Sequence, residues 1–217
     1  MVETTHARRQ MVDTQIRTTD VTAYNVLDAF LSVPRELFVP SSSKAFAYSD
    51  ADIRISENRI MMQPSPLAKL LQLADISKDD LVLVIASNSG YSAAIISQLA
   101  NTVVAVENDE DLVQRSQDTI SDLGYDNVAV ISGDLAEGVS SEGPYDVILI
   151  EGTVEDIPQH LLEQLKDGGR LVTVSGTDRR AEAVKILRTG NHFSRIAAFD
   201  TNAPILSEFR KPSEFSL

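Results

Sequence analysis

The sequence predicts an α/β fold: a mostly parallel, doubly wound sheet with helices on both faces, an antiparallel hairpin at one edge and a helical extension at the amino terminus. Three observations carry this expectation. Five short apolar runs (LVLVIA, TVVAVE, NVAVIS, YDVILIE and GGRLVTVS) lie between residues 81 and 175, and strands buried on both faces read as such near-continuous runs. Helical patterns at 91–100, 109–123 and 156–166 separate most of them, which is the alternation of a parallel sheet. Beyond them, EAVKILR and HFSRIAAF flank the turn tripeptide TGN, the signature of a hairpin.

The amino-terminal elements follow from periodicity and breakers. Met11, Val12 and Ile16, then Val26, Leu27, Phe30 and Leu31, fall at helical spacings over residues 5–31. A break is expected near TTDVT, where Thr19 or Asp20 would cap a second helix. Pro34 and Pro40 bracket a turn or short helix, and residues 41–56 read as irregular and exposed, with room for a short strand. Ser65 and Pro66 open LAKLLQLADI as cap and first helical residue. The expected organisation is one domain over 1–217, with a helical, substrate-side region at 1–79 and the sheet core at 80–217.

With 217 residues and 43% apolar content the chain can bury a sizeable core. The net charge of -13 disfavours nucleic acid and anionic membranes as partners, since both are polyanions. Zero cysteines exclude disulfides, thiolate nucleophiles and sulfur-ligated metals, and fit a reducing compartment. No apolar run approaches the roughly 18 residues that a membrane span needs, and the first residues have no apolar signal core. The cytoplasm is the expected location. His6, His160 and His192 are scattered, so no metal site is expected. Oligomeric state is left open.

A doubly wound sheet places ligands at the carboxyl ends of its strands, near the point where strand order reverses. That rule selects residues 86–91, 107–109, 132–135, 151–155 and 175–178. Glu107 ends the second run, 17 residues after Gly90, near the spacing of about 20 for an acid that accepts ribose hydroxyls; the other reading is a solvated strand end. Asp134, after Gly133, is either an acceptor for an adenine amino group or an ordinary turn residue.

Taken in order, the strand, loop and helix at 81–100, Glu107, Gly133-Asp134, and PYDVILIEGTVEDIPQHLLEQLKDGGRLVTVSG at 144–176 resemble a class I, Rossmann-like methyltransferase. More narrowly, with RRQMVDTQIR, VLDAFLSVPRELFVP and QPSPLAKLLQL, the chain resembles the protein-L-isoaspartate O-methyltransferase family over residues 8–176. The resemblance implies S-adenosylmethionine as methyl donor and isoaspartyl carboxylates in protein or peptide substrates as acceptors, a repair activity. It also implies a donor site formed by Ala86, Asn88, Ser89, Gly90, Tyr91, Glu107, Asn108, Asp134 and Leu135.

The chain departs from the family pattern in three places. Its loop reads Val84-Ile85-Ala86-Ser87-Asn88-Ser89-Gly90-Tyr91, where the family has acid-Ile-Gly-x-Gly-Ser-Gly-Tyr. Val84 therefore lacks the carboxylate that helps hold the donor's amino end, a loss of about 1.5–3 kcal/mol if buried. Asn88 tolerates a left-handed backbone, and Ala86 matters only if its backbone is left-handed or touches the ligand. Met62 stands at the family's hydroxyl position and cannot donate a hydrogen bond; Ser65, nearby, is a helix cap first and a catalytic candidate second. Glu151 ends the fourth run where the family has small or neutral residues. An ionised Glu151 would repel an acceptor carboxylate; it could instead serve as a general base, hold a cation, or be a solvated acid. The expectation is weak donor binding with reduced methyl transfer, a non-catalytic protein of the same fold, or a methyltransferase with another acceptor.

Overall fold

The computed structural model describes residues 2–177 and 180–211. Helices α1 (Val2–Met11), α2 (Tyr24–Ser32) and α3 (Pro64–Ala74) precede the main sheet, with a two-stranded ribbon of β1 (Ile53–Arg54) and β2 (Ile60–Met61) between α2 and α3. The main sheet contains β3 (Leu81–Ile85), β4 (Thr102–Glu107), β5 (Val128–Ser132), β6 (Tyr145–Val154), β7 (Leu165–Thr177), β8 (Arg180–Thr189) and β9 (His192–Asp200). Helices α4 (Tyr91–Ser97), α5 (Glu110–Asp122) and α6 (Gln159–Leu162) connect the parallel strands. Strand order is β5-β4-β3-β6-β7-β8-β9. The first five in that order run parallel, and β8 and β9 are antiparallel additions at the β7 edge. The expected architecture, edge hairpin included, is the observed one. Order reverses between β3 and β6, so their carboxyl ends mark the ligand-binding crevice.

Alternation along the strands divides the core. Val82 and Val84 face one apolar cluster with Met11, Ile16, Phe30, Met62, Leu70 and Tyr91. Leu83 and Ile85 face the other, with Val106, Ile148, Ile150, Leu161 and Leu206. The amino-terminal helices thus share the first cluster with the sheet.

Local chemistry moves three boundaries from where periodicity puts them. After α1 the chain passes through a π-helical turn, Val12–Ile16, and a 3-10 turn, Arg17–Thr19. The Thr14 and Thr18 hydroxyls donate back to the carbonyls of Gln10 and Thr14, each at 2.8 Å, a competition that loosens helical geometry. Asp20, at φ 67, closes this segment instead of capping α2. Entry to α2 is fixed by Gln72 Oε1, which accepts the amides of Thr22 and Ala23 at 2.7 and 3.0 Å. Ser65 is not the cap of α3 either: the helix starts at Pro64 after Gln63, with no side-chain cap. Finally, the helix expected at 156–166 shrinks to α6, because β6 extends to Val154 and β7 already pairs with it at Leu165.

Candidate functional site

The loop after β3 keeps the conformation of a glycine loop with fewer glycines. Ala86, Asn88 and Gly90 have φ of 60, 55 and 89, all left-handed. Gly90 cannot change: a Cβ there would lie 2.2 Å from Ser116 Oγ, and its N–H closes the turn on Ser87 O at 2.8 Å. Ala86 meets the condition under which its methyl matters, since a left-handed alanine costs about 1–2 kcal/mol. Ser87 Oγ, Asn88 Oδ1 and Ser89 Oγ are buried without hydrogen-bond partners among the described residues. Tyr91 turns away from the loop into the core, where its ring meets Phe30 and Phe38 at centroid distances of 6.2 and 5.7 Å.

Beneath this loop lies Glu107, 0% exposed; the solvated strand end is excluded. Its carboxylate accepts from the backbone N–H of Asn88 (3.0 Å), Asn108 (2.9 Å) and Asp109 (3.3 Å). It also accepts from Arg59 Nε, 3.0 Å to Oε1 and 3.2 Å to Oε2. Arg59 Nη2 continues to Asn108 Oδ1 and Glu208 Oε1, both at 2.7 Å, and Asn108 Nδ2 donates to Glu208 at 3.0 Å. Asp134 is exposed, and its Oδ1 accepts the Ala136 N–H at 2.8 Å, an Asx turn that also places Leu135 in the second core cluster.

Glu151 lies one strand over from Val84. Val84 pairs with Leu149, and Glu151, two residues further, projects from the same face. A carboxyl is thus present on the face where the loop lacks one. It is 2% exposed and accepts a short hydrogen bond from Ser92 Oγ. Burial pushes its pKa up to about 8, against the Ser92 hydrogen bond and the field of Arg35, which favour the anion. At neutral pH the group is mainly a neutral acid, so the repulsion expected of an ionised Glu151 is largely absent.

Arg35 is, with Arg59, a buried cation of the site. Its Nε donates to Ala47 O at 2.8 Å and its Nη2 to Met62 O at 2.7 Å, while the guanidinium lies 4.8 Å from the Tyr91 ring centroid. Arg35 thereby fixes the backbone at Met62, whose side chain is 1% exposed and packed in the first core cluster. Ser65 Oγ donates to Thr19 Oγ1 at 2.8 Å. His160 is exposed, with Nε2 2.8 Å from Ala136 O.

The crevice above β6 is narrowed by residues 203–209. A cavity of about 270 Å³ remains, lined by Arg59, Asn88, Glu151, Pro204 and Leu206 among others. Binding pockets for drug-sized ligands run to about 300–1,000 Å³. An adenosyl ribose does not fit this arrangement, because a carboxylate offers about four acceptor positions and those of Glu107 are already taken by Arg59 and three amides. Of the five stretches selected at the strand ends, 86–91, 107–109 and 151–155 gather at the crevice; residue 178 lies outside the described residues. Arg35, Arg59, Ser92 and Glu208 were missed by sequence reasoning. Only Ser92, in the first turn of α4, had a local signal that could have found it.

No described helix is long and apolar enough to cross a membrane. The family model for protein-L-isoaspartate(D-aspartate) O-methyltransferase matches residues 6–199. Protein-L-isoaspartate O-methyltransferase 2 of Geotalea uraniireducens (strain Rf4) is 37% identical over 191 residues, 88% of each chain. Protein-L-isoaspartate O-methyltransferase of Methanoculleus marisnigri is 36% identical over 181 residues, 83% of this chain and 82% of its own. A solved protein-L-isoaspartate O-methyltransferase superposes with a TM-score of 0.81 at 25% identity, over 93% of this chain and 67% of that one. A putative one from Plasmodium falciparum, solved in complex with S-adenosyl-L-homocysteine, shares the fold with a TM-score of 0.79 at 19% identity, over 93% of this chain and 98% of that one. The chain belongs to the protein-L-isoaspartate(D-aspartate) O-methyltransferase family.

Proposed function

We propose that the chain transfers methyl groups to isoaspartyl carboxylates of protein or peptide substrates, with S-adenosylmethionine as a weakly held donor. The observation that carries this reading is the loop at 86–90, which holds left-handed backbone at Ala86 and Asn88 where the family places glycine, directly over Glu107. The loop thus keeps, at the cost of a left-handed alanine, the backbone turn that glycines would form without strain. Weak donor binding follows from Arg59, which must leave Glu107 before a ribose can reach it. Methylation of a carboxylate depends on alignment more than on proton transfer; the largely neutral Glu151 and the Met62 backbone, set by Arg35, are the groups that would position the acceptor. The cytoplasm is the expected setting, and the charge of -13 keeps nucleic acid and anionic membranes from the partner list.

A second reading, a non-catalytic binding protein, is favoured by the satisfied Glu107 and the buried Met62 side chain. The deciding experiment is incorporation of labelled methyl into an isoaspartyl peptide against its aspartyl counterpart. Slow, isoaspartyl-selective transfer is expected. Absence of transfer with protein and peptide at equal concentration overturns the isoaspartyl reading; calorimetric binding of S-adenosylmethionine then separates a methyltransferase with another acceptor, which binds it, from the non-catalytic reading, which does not.

A further inference from the structure

We propose that Arg59 is a built-in occupant of the ribose subsite, positioned by Glu208 of the carboxyl-terminal segment, so that this segment sets the affinity for the methyl donor. The inference deepens the reading above and rests on it for the identity of the donor.

Ribose hydroxyls would present donors to Glu107; the Arg59 guanidinium does so instead, with Nε on both carboxylate oxygens at 3.0 and 3.2 Å. Arg59 is 3% exposed and comes from the turn between β1 and β2, one residue before β2, rather than from the main sheet. Alone, a long arginine side chain has many rotamers and no need to stay. Glu208 removes that freedom by accepting from Nη2 at 2.7 Å, and Asn108 braces both.

Glu208 is in turn held by a docked strap. Thr153 N donates to Pro204 O at 2.7 Å, Leu206 N to Thr153 O at 3.0 Å, and Thr153 Oγ1 to Ala203 O at 2.7 Å. Phe209 O accepts from Glu155 and Asp156 at 3.1 and 3.2 Å. Leu206 and Phe209 are 4% and 2% exposed. Gly152 makes room for the strap, since a Cβ there would lie 2.6 Å from Leu206 Cγ and 2.9 Å from Pro204 O. The strap and the ion cluster therefore close one crevice from two sides: Leu206 over β6 and Glu208 on Arg59.

The test titrates wild type, Arg59→Ala and Glu208→Gln with S-adenosylhomocysteine by calorimetry. Arg59→Ala is expected to bind at least tenfold more tightly than wild type and Glu208→Gln several-fold more tightly. Adding Glu107→Gln to Arg59→Ala should cancel the gain, which a merely loosened structure would not do. In turnover, Glu208→Gln should lower the donor KM and leave the peptide KM unchanged. Equal affinity in wild type and both variants overturns the proposal, as does failure of every folded variant to bind. Glu208→Gln alone carries the test if Arg59→Ala does not fold. Methyl transfer by wild type with no gain in either variant sinks only the occupancy of the ribose subsite. Tight binding by Arg59→Ala without methyl transfer sinks the catalytic reading and leaves the occupancy intact.

Discussion

The guanidinium of Arg59 and the carboxylate of Glu107 meet at 3.0 Å with side-chain exposures of 3% and 0%. A pair so far from water depends on its geometry, because removing one partner strands the other. Glu107→Ala should cost about 3–5 kcal/mol, toward the lower end because Arg59 retains Glu208. Urea denaturation measures this. A loss under about 1 kcal/mol, the size of an exposed pair, would mean that the two side chains are not held together in solution.

Ala86 gives a prediction of opposite sign. At φ 60 its methyl works against the loop, and glycine would remove about 1–2 kcal/mol of strain while adding about 0.4–1 kcal/mol of unfolded-state entropy cost. Ala86→Gly should therefore stabilise by roughly 0.5–1 kcal/mol, a rise in Tm of about 1–4 °C for a chain this size. A lower Tm would show that the left-handed assignment is wrong.

The sheet was legible because each of β3 to β6 contains an unbroken apolar run and β7 one interrupted only by Thr173, and the TGN turn announced the edge hairpin. What sequence could not give were the extensions. Val154 is in β6 because Ser175 pairs with it, a property of the neighbour. The same division applies to the site. The loop and Glu107 are local features, separated by a spacing that a reader can count. Arg59 reaches Glu107 across 48 positions and Glu208 across 149, and no local pattern encodes a contact of that separation. Arg35 sits between two prolines in a segment that reads only as a turn or short helix, yet it is 0% exposed, with Nε and Nη2 held by the backbone carbonyls of Ala47 and Met62.

The reassignment of Ser65 is testable through coupling. Its hydroxyl donates to Thr19 Oγ1 at 2.8 Å and caps nothing. Ser65→Ala and Thr19→Val should each cost about 0.5–1.5 kcal/mol, and the double variant should cost clearly less than the two together, as contacting residues are not additive. Strict additivity would return Ser65 to a role within its own helix. Asp109, which does cap α5 by accepting the Leu112 N–H at 3.3 Å, supplies the comparison, with about 1 kcal/mol lost in Asp109→Ala.

Glu151 predicts a pH dependence whose sign follows from its burial. Its pKa stands at about 8 in the folded chain against an ordinary 4.5, so between those values the folded state holds a proton that the unfolded state has lost. Stability from this group is therefore complete below about pH 4.5 and falls as pH rises to about 8, by about 1.4 kcal/mol for each pH unit crossed. Glu151→Gln keeps the shape and a hydrogen-bonding partner for Ser92 but cannot ionise. The variant should match wild type near pH 4.5 and exceed it by a few kcal/mol near pH 8. Urea denaturation of both proteins at about pH 4.5, 6 and 8 gives the difference directly, with the other titrating groups common to both curves. Parallel curves across that range would mean that Glu151 ionises freely, and a neutral acid at the centre of the crevice would have to be abandoned.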